Sequence, residues 1–370
     1  MGRKKEFSGK PRFAVLGAGH GGLAMAAHLA VMGFEVNIFN RSKERIDHIL
    51  DRGGIDLEGV VEGFGVVNRA TTDMKEAIED VDVIMVVVPA SGHRFMAEKC
   101  APYLRGGQIV LLNPGRTCGA LEFFNVIYKE QKIKSKVLIA EANTFIYVSR
   151  HVEFARAKIF DIKNSVPVAA LPAYRTPAVL KVVRQAFPQF VPGTNVLVTS
   201  LDNIGAVFHP TISLLNAGRI EDEHADFEFY LEGVMPSVGK VLEAVDRERV
   251  NVGAALGVHL HTAREWLYLA YDSKGKTLYD AIHATPGYRG VKAPTTLNHR
   301  YILEDVPFSL VPIASLGDLL KIPTPAIKSL VQLASLIHET DFWEEGRTVE
   351  KLGLVGKNVK YIRLLVVKGK

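Results

Sequence analysis

The sequence has few cysteines and no apolar run of membrane-spanning length. Its only cysteines are Cys100 and Cys118, which excludes a disulfide-rich scaffold and is typical of a reducing compartment with free thiols. The longest apolar run, residues 81–90, falls well short of the ~20 residues that a membrane-spanning helix requires. The basic N-terminal residues precede a short strand and a glycine loop, not the apolar segment of a signal peptide. We therefore expect a cytoplasmic protein without a membrane segment.

The sequence also lacks a basic patch within its folded body. The net charge is +5, but residues 1–12 and 357–370 together contribute +9, which leaves −4 for the rest of the chain. Nucleic-acid-binding proteins concentrate lysine and arginine on a folded face. An excess that is confined to the two tails indicates solvated termini, and we expect no nucleic-acid partner.

The pattern of apolar residues predicts two domains of different class. The chain has 370 residues, of which 48% are apolar and 23% charged, as in an ordinary globular protein. Continuous apolar strands such as residues 83–88 alternate with helical segments, which predicts a parallel sheet covered by helices. Later segments have apolar residues at helical spacing. We predict an α/β protein: a Rossmann-type, doubly wound domain in residues 1–200, then an all-helical substrate and catalytic domain in residues 201–370.

The predicted elements follow that division. In the first domain we expect strands at residues 12–17, 35–39, 81–89, 108–113 and 136–140, and helices at 21–33, 92–104 and 118–131. We expect an antiparallel excursion at residues 54–67, and three more strands that extend the sheet, at 152–157, 166–171 and 196–199. In the second domain we expect helices at residues 204–220, 225–256, 263–271 and 325–339.

A glycine-rich turn follows the first predicted strand and opens the first helix. The motif is Gly17-x-Gly19-x-x-Gly22, in which glycine serves a tight turn, the close approach of a pyrophosphate and close helix–strand packing. The helix N-terminus adds free N–H groups and a positive dipole end. This context predicts a dinucleotide site with contacts from Gly17, Ala18, Gly19, His20, Gly21 and Gly22.

The end of the second strand bears on the choice of cofactor. A carboxylate there selects NAD by binding the ribose 2′-hydroxyl, whereas arginine accommodates the 2′-phosphate of NADP. This sequence has Asn40, Arg41 and Ser42, and no carboxylate. We expect NADP, with NAD as the alternative if Arg41 is a solvated cation. Pro89 and Asn113, which follow later strands, are further expected cofactor contacts.

One of the twelve histidines lies where the predicted sheet gives way to the helical domain. His209 can overhang the cofactor crevice from there, and Asn216, seven residues later, shares its helix face. Pro210 disfavours helical geometry at the residue before it, which predicts a kink or a helix start. A histidine on an apolar helix is more commonly a packing residue, so position alone leaves a structural and a catalytic role open.

Several motifs together resemble the opine (octopine/nopaline) dehydrogenases. They are Gly17-x-Gly19-x-x-Gly22, Asn113-Pro114-Gly115, Glu141-x-x-Thr144-x-x-Tyr147-x-x-Arg150, His209-Pro210 and Asn216-x-Gly218-x-x-Glu221. The resemblance implies NAD(P)H-dependent reduction of the imine formed from a 2-oxo acid, such as pyruvate, and the amino group of an amino acid.

The same resemblance implies the roles of individual residues. In that family a histidine with a carboxylate partner is the acid–base and an arginine holds a substrate carboxylate, which corresponds here to His209, Asp305 and Arg300. It also implies substrate contacts from Glu141, Thr144 and Asn216. Arg300 and Asp305 lie five positions apart, about 140° around a helix, so their spacing alone does not show that they converge.

Two alternative functions share this domain plan. Dehydrogenases of 2-oxo or hydroxy acids, including ketopantoate-reductase-like enzymes, commonly use a lysine on the helix that enters the second domain, but residues 204–220 contain none. A non-catalytic NAD(P)-binding sensor predicts cofactor binding without turnover. No histidine or cysteine spacing predicts a metal site. The expected partners are small-molecule substrates, and the apolar helical domain offers a surface for a homodimer.

Overall fold

The computed structural model describes residues 9–224 and 226–369, which form two compact units. Of these described residues, the first unit contains 9–199 and 364–369, and the second contains those between Ser200 and Arg363. The first boundary lies one residue from the expected one. The C-terminal residues, expected in the helical domain, are instead part of the first unit, where a Cβ on Gly369 would lie 3.0 Å from Pro172.

The first unit is built on twelve strands. They are β1 (Phe13–Leu16), β2 (Val36–Phe39), β3 (Ile55–Gly59), β4 (Gly63–Gly65), β5 (Arg69–Thr71), β6 (Val83–Val86), β7 (Ile109–Leu112), β8 (Leu138–Ala142), β9 (Tyr147–Glu153), β10 (Arg156–Ile162), β11 (Val166–Leu171) and β12 (Phe190–Pro192). Eight of them form the main sheet in the order β12-β11-β8-β7-β6-β1-β2-β5.

The main sheet confirms the Rossmann-type prediction. Strands β8, β7, β6, β1, β2 and β5 are parallel to one another, and β11 pairs with β8 in the antiparallel sense. Strands β1, β2, β6 and β7 are buried along their whole length, as continuous apolar runs predict. The strand order reverses between β1 and β6, the kind of switch point where open α/β sheets bind ligands.

Seven helices accompany these strands along the chain. They are α1 (His20–Val31), α2 (Lys43–Arg52), α3 (Met74–Ile78), α4 (His93–Cys100), α5 (Gly119–Phe124), α6 (Thr176–Val183) and α7 (Val196–Leu201). Helix α5 continues as a π-helical segment over Asn125–Glu130.

Four strands form a separate, smaller sheet that packs against α1. Its order is β4-β3-β10-β9, and the antiparallel β3–β4 pair confirms the excursion predicted for residues 54–67. The close approach needs glycine, because a Cβ on Gly65 would lie 2.7 Å from the carbonyl oxygen of Ala27 in α1. The prediction that residues 152–157 extend the main sheet is wrong, since β9 and β10 belong to this second sheet.

The strand predicted at residues 196–199 is also wrong, because these residues begin α7. A short, continuous apolar run does not distinguish a buried strand from a buried helix. Asn195 decides the matter locally: its Oδ1 accepts a hydrogen bond from the backbone N–H of Leu197 at 2.9 Å, as an N-cap does.

Helices are the regular secondary structure of the second unit's described residues, apart from one isolated bridge between Glu228 and Lys292. Its helices are α8 (Gly205–Leu215), α9 (Ala217–Ile220), α10 (Pro236–Ala255), α11 (Ala263–Tyr271), α12 (Leu278–His283), α13 (Arg300–Leu303), α14 (Val311–Leu320), α15 (Pro325–His338), α16 (Phe342–Glu345) and the first part of α17 (Val359–Lys368). A π-helical turn covers Val306–Leu310. None of the described helices is long and apolar enough to cross a bilayer.

The helix predicted at residues 225–256 is shorter than expected. It begins only at Pro236, whose missing N–H and fixed φ suit the first turn of a helix. Within α10, the side chain of Arg249 is fully buried and donates to Asp246 at 2.7 Å and to the carbonyl oxygen of Leu201 at 2.8 Å. Asp246 also accepts from the N–H of Ala263 at 2.7 Å, so this ion pair ties α10 to the start of α11.

Candidate active site

The glycine turn between β1 and α1 has the shape of a pyrophosphate cradle. A Cβ on Gly17, which has φ +115°, would lie 2.5 Å from the carbonyl oxygen of Val87, and one on Gly22 would lie 1.7 Å from that of Gly17. A Cβ on Gly19 would meet nothing closer than Arg45 Nη1 at 3.9 Å. The space beside Gly19 is therefore open at the N-terminus of α1, where N–H groups favour an anion. The turn fits a dinucleotide.

Three side chains support this turn. Asn40 Oδ1 accepts a hydrogen bond from the N–H of Ala18 at 3.1 Å, and Arg45 Nη1 donates to the carbonyl oxygen of Ala18 at 2.9 Å. His20 Nδ1 accepts from the N–H of His151 in β9 at 2.9 Å. Asn40 therefore holds the turn through Oδ1, and its predicted contact with the cofactor stays a prediction.

Two arginines follow β2: Arg41 lies two residues after its end, and Arg45 lies in the first turn of α2. The guanidinium of Arg41 lies 5.8 Å from the ring centroid of Phe95, and Arg45 lies against the glycine turn. Arg45 was not among the predicted cofactor contacts, although its spacing of four residues from Arg41 was visible in the sequence. Ser42 precedes α2, and its carbonyl oxygen accepts from Asn40 Nδ2 at 3.3 Å. The guanidinium groups of Arg41 and Arg45, together with the lack of a carboxylate at residues 39–42, favour a phosphate here.

The predicted cofactor contacts at later strand ends lie at the same edge of the sheet. Pro89 follows β6 and is exposed. Asn113 follows β7, donates through Nδ2 to the carbonyl oxygen of Leu111 at 2.9 Å, and is 2% exposed. Its buried Oδ1 has no hydrogen-bond partner within the described part of the chain. A buried acceptor without a partner is costly, and this atom suits an N–H donor of a bound cofactor.

Glu141 lies inside the first unit, and its predicted substrate contact stays a prediction. Its side chain is fully buried. One carboxylate oxygen accepts from the N–H of Ala120 at 2.9 Å and the other from the hydroxyl of Thr199 at 2.7 Å. The carboxylate thus neutralises the N-terminus of α5 and joins it to β8 and α7.

Thr144 lies three residues further along the chain and is only half-buried. Its Oγ1 accepts a hydrogen bond from Lys163 Nζ at 2.6 Å. Thr144 therefore remains a candidate for substrate binding, with a charged neighbour that the sequence alone did not associate with it.

In the second unit the structure brings His209 and Asp305 together across 96 positions of sequence. The distance between His209 Nδ1 and Asp305 Oδ2 is 2.8 Å. The Asp305 side chain is fully buried, whereas that of His209 is 20% exposed. A carboxylate only accepts hydrogen bonds, so Nδ1 carries the proton and Nε2 of the neutral ring is left as the base. This is the geometry of an oriented acid–base.

The imidazole of His209 is held from two sides. Tyr301 stacks on it with ring centroids 4.1 Å apart and planes 16° apart. On another side is Gly205, one turn earlier in α8, where a Cβ would lie 3.1 Å from His209 Cε1. Asn203 donates to Ser309 at 3.1 Å and fixes the start of α8 against the π-helical turn that follows Asp305. Helix α8 contains Pro210 internally and begins at Gly205, five residues before it.

Arg300 is paired within its own helix. Its Nε and Nη2 atoms lie 3.2 and 2.9 Å from Glu304 Oε2, and its side chain is 59% exposed. To bind a substrate carboxylate, Arg300 would have to share its guanidinium between Glu304 and the substrate, or release Glu304.

The neighbouring His299 has a lowered pKa. Burial is the largest cause, and the charges of Arg300 and His209 act in the same direction.

Asn216 lies at the end of α8, and its predicted substrate contact stays a prediction. Its Nδ2 donates to the carbonyl oxygens of Ile212 and Gly233, both at 2.9 Å. Asn216 is also the N-cap position of α9, so it lies at the junction of the two helices. Helix α8 ends at Leu215, so Asn216 lies one residue beyond the helix that contains His209.

A row of aromatic rings extends from the stacked Tyr301. Phe229 lies 5.0 Å from Tyr301 between ring centroids and 5.1 Å from Tyr230, which stacks on Tyr288 at 4.0 Å. Burial raises the pKa of Tyr230 and of Tyr288, so both phenols stay neutral at physiological pH. The surroundings of the His209–Asp305 pair are therefore largely aromatic.

Comparison with known proteins agrees with this division into a nucleotide-binding part and a helical part. A family model described as NAD/NADP octopine/nopaline dehydrogenase, alpha-helical domain, matches residues 192–338. A second model, NAD-dependent glycerol-3-phosphate dehydrogenase N-terminus, matches residues 12–138. An opine dehydrogenase of Arthrobacter sp. (strain 1C) is 40% identical over 355 residues, which cover 96% of this chain and 98% of that protein. The chain belongs to the opine dehydrogenase family.

More distant likenesses extend over the whole chain. Protein ocs of Agrobacterium tumefaciens (strain Ach5) is 25% identical and covers 95% of this opine dehydrogenase and 98% of its own length. A solved structure of octopine dehydrogenase with NADH and L-arginine matches with a TM-score of 0.81 at 18% identity, covering 98% of both chains. The structural likeness shows the shared fold, a Rossmann-like sheet followed by a helical domain.

Family membership decides among the three functional hypotheses. The chain is an NAD(P)-dependent oxidoreductase that acts on a CH–NH group, of the type that condenses an oxo acid with an amine reductively. The hydroxy-acid dehydrogenase and the non-catalytic sensor lose their support, since the 40% identical relative is itself an opine dehydrogenase over nearly its full length.

Proposed function

We propose that this opine dehydrogenase joins a 2-oxo acid such as pyruvate to the amino group of an amino acid, with His209 as the acid–base. The observation that carries the proposal is the 2.8 Å contact between His209 and the fully buried Asp305. A buried carboxylate on Nδ1 fixes the tautomer and stabilises the imidazolium when Nε2 takes up a proton. An imidazole used only for packing needs no such partner.

The overall reaction needs proton transfers that one imidazole can perform. The amino acid enters as an ammonium ion, and Nε2 of His209 accepts its proton so that the amine can attack the carbonyl carbon. A second proton passes from the attacking nitrogen to the carbonyl oxygen, and the proton held on Nε2 then goes to the resulting hydroxyl, which leaves as water and yields the protonated imine. A bound dihydronicotinamide supplies the hydride that reduces the imine carbon. The products are a secondary amine, water and the oxidised cofactor.

We assign positioning roles to the residues around the histidine. Tyr301 and Gly205 hold the imidazole plane, as their contacts with it indicate. Arg300 is suited to a substrate carboxylate, because a guanidinium binds a carboxylate through two parallel hydrogen bonds, and its present partner Glu304 is also a carboxylate. Thr144 is proposed to bind the 2-oxo acid.

We further propose NADP as the preferred cofactor. Arg41, after the end of β2, and Arg45, beside the glycine turn, provide two permanent positive charges. Residues 39–42 include no carboxylate that would repel a 2′-phosphate.

A homodimer stays a prediction. Helix α15 has exposed apolar residues that include Leu336, which is 67% exposed. Light scattering of the purified protein measures the oligomeric state.

A substrate matrix tests the proposed function. Oxidation of NADPH or NADH is followed with pyruvate and other 2-oxo acids, alone and with each common amino acid. We expect turnover only when an oxo acid and an amine are both present, and a lower KM for NADPH than for NADH. Turnover that needs no amine would support a hydroxy-acid dehydrogenase. Cofactor binding with no turnover for any pair would support a sensor.

A further inference from the structure

Lys163 lies immediately after β10, at a position that the proposed mechanism does not use. Its backbone N–H donates to the carbonyl oxygen of Ile146 at 2.9 Å, and its Nζ donates to Thr144 Oγ1 at 2.6 Å. The side chain thus crosses from the second sheet to the segment after β8. The partner of the ammonium group is a hydroxyl and not a carboxylate, which is unusual for a largely enclosed lysine.

The charge of Lys163 is disfavoured in the folded protein. Burial lowers its pKa from 10.5 to about 8; the nearby Arg116 acts in the same direction, and Asp161 acts against it. Arg116 lies after β7 and Asp161 lies in β10. The positive charge that disfavours protonation of Lys163 therefore comes from a different segment of the chain. A lysine whose charge lowers the stability of the folded protein at neutral pH is typical of a functional position.

The chemistry of the two groups fixes the direction of the hydrogen bond. An ammonium group has three donors and no acceptor, whereas a hydroxyl has one proton and two lone pairs. Thr144 Oγ1 must therefore accept from Lys163, and its own proton is directed elsewhere. As long as Lys163 is protonated, Thr144 presents a donor to whatever lies on its other side.

We propose that Lys163 is a positioning residue that fixes the hydroxyl of Thr144 as a hydrogen-bond donor to the carboxylate of the 2-oxo acid. The inference rests on the proposed function, in which Thr144 binds this substrate. A carboxylate accepts hydrogen bonds only, so a correctly oriented donor is needed for its binding. A neutral lysine can accept the proton of Thr144 and release this constraint.

Replacement of the ammonium group tests the inference kinetically. Lys163→Met keeps most of the length and removes the donors, and we expect it to raise KM for the 2-oxo acid by about 10-fold or more, the effect of a lost hydrogen bond to a charged group. KM for NADPH should stay within about 2-fold. Lys163→Arg restores a donor and should recover part of the loss. Lys158→Met is the matched control, since Lys158 lies in β10, five residues before Lys163, with its ammonium over the ring of Phe160.

The pH dependence separates a positioning role from a structural one. For the wild type, kcat/KM for the 2-oxo acid at saturating amino acid should fall above about pH 8, where Lys163 loses its proton. In Lys163→Arg this descending limb should move to higher pH, because a guanidinium remains charged. The same limb in both proteins, or an unchanged KM in Lys163→Met, would overturn the inference.

Thermal unfolding gives a readout that does not need turnover. Since the folded protein lowers the pKa of Lys163, the charge destabilises the fold most below pH 8, and the cost is relieved as pH rises towards 10.5. Lys163→Met should therefore raise Tm at pH 7 while it weakens oxo-acid binding. A lower Tm together with a weaker KM would mark Lys163 as a structural residue. A wild type with no amine-dependent turnover would count against the proposed function instead, and the Tm difference would still be measurable.

Discussion

At the scale of single residues, the site depends on one carboxylate that orients one imidazole. Asp305 is fully buried and lies 2.8 Å from His209. Asp305→Asn keeps the shape but makes the partner able to donate, which favours the wrong tautomer of His209. We expect kcat to fall by about 10²–10⁴, as when a general acid–base is lost, with little change in NADPH affinity measured by fluorescence quenching.

The double variant distinguishes a functional pair from two independent residues. If Asp305 acts through His209, His209→Gln with Asp305→Asn should lose about as much activity as His209→Gln alone, because groups that act as a unit are not additive. Losses that multiply would show that the two residues act separately.

Gly205 provides a second prediction at this scale. A Cβ at Gly205 would lie 3.1 Å from His209 Cε1 and 3.2 Å from Asn203 Oδ1, which is closer than ordinary contact. Gly205→Ala should therefore displace the imidazole from its position beside Tyr301 and reduce kcat by at least 10-fold, since misplacement of a catalytic group is costly. Gly218→Ala is the control, because nothing lies within 4 Å of its Cβ position; it should leave kcat unchanged.

The residues of the candidate site differ in how far the sequence alone predicts their roles. The glycine turn is predicted from spacing and context, because its role is expressed in neighbouring residues. The position of His209 left a structural role open, and its acid–base role came from the family resemblance. Asp305 came only from the family resemblance, since no local pattern connects positions 96 apart. Tyr301 and Lys163 were missed for the same reason: each meets its partner only through the tertiary fold.

At the scale of secondary-structure elements, the strands predicted best are those in which an uninterrupted apolar run ends at a clear turn signal. Strands β1, β2, β6 and β7 were predicted to within three residues at each end because continuous apolar runs are flanked by glycine or polar turns. Residues 196–199 were mistaken for a strand because the decisive contact, the cap from Asn195, lies outside the run. The second sheet was not foreseen, because strand composition does not specify which sheet a strand joins.

The junction of β2 and α2 carries a prediction about cofactor choice. Asn40→Asp keeps an oxygen that can accept from the N–H of Ala18 and adds a negative charge near the expected 2′-phosphate. We expect kcat/KM for NADPH to fall by about 10-fold or more and that for NADH to rise or stay constant, since a carboxylate there selects NAD. An equal loss with both cofactors would indicate damage to the glycine turn.

Arg41→Ala is the complementary change. Its guanidinium contacts only the ring of Phe95 among the interactions described for it, so its removal should not disturb the turn. We expect a selective loss with NADPH, and steady-state kinetics with both cofactors measure it. Lys43→Ala is a suitable control, because Lys43 is paired with Asp47 at 2.7 Å on the same helix.

At the scale of the whole molecule, the first unit is assembled from both ends of the chain. Division at residue 200 follows the change from alternating strands to helices, which the sequence shows. The return of the residues after Arg363 to the first unit is not visible in the sequence, because an apolar helix can pack on either unit. A truncated variant that ends near residue 200 would therefore lack part of the first unit.

Two neighbouring valines of α17 test this assembly. Val366 is fully buried and belongs to the first unit, whereas Val367 is 41% exposed. Val366→Ala should lower the free energy of unfolding by about 1–3 kcal/mol, because burial of each methylene contributes about 0.8 kcal/mol and a residual cavity adds to the loss. Val367→Ala should change it by less than about 0.5 kcal/mol. If the two variants unfold at the same denaturant concentration, the C-terminal residues do not stabilise the first unit. If Val366→Ala alone is less stable and saturating NADPH restores its Tm, the C-terminal segment stabilises the unit that binds the cofactor.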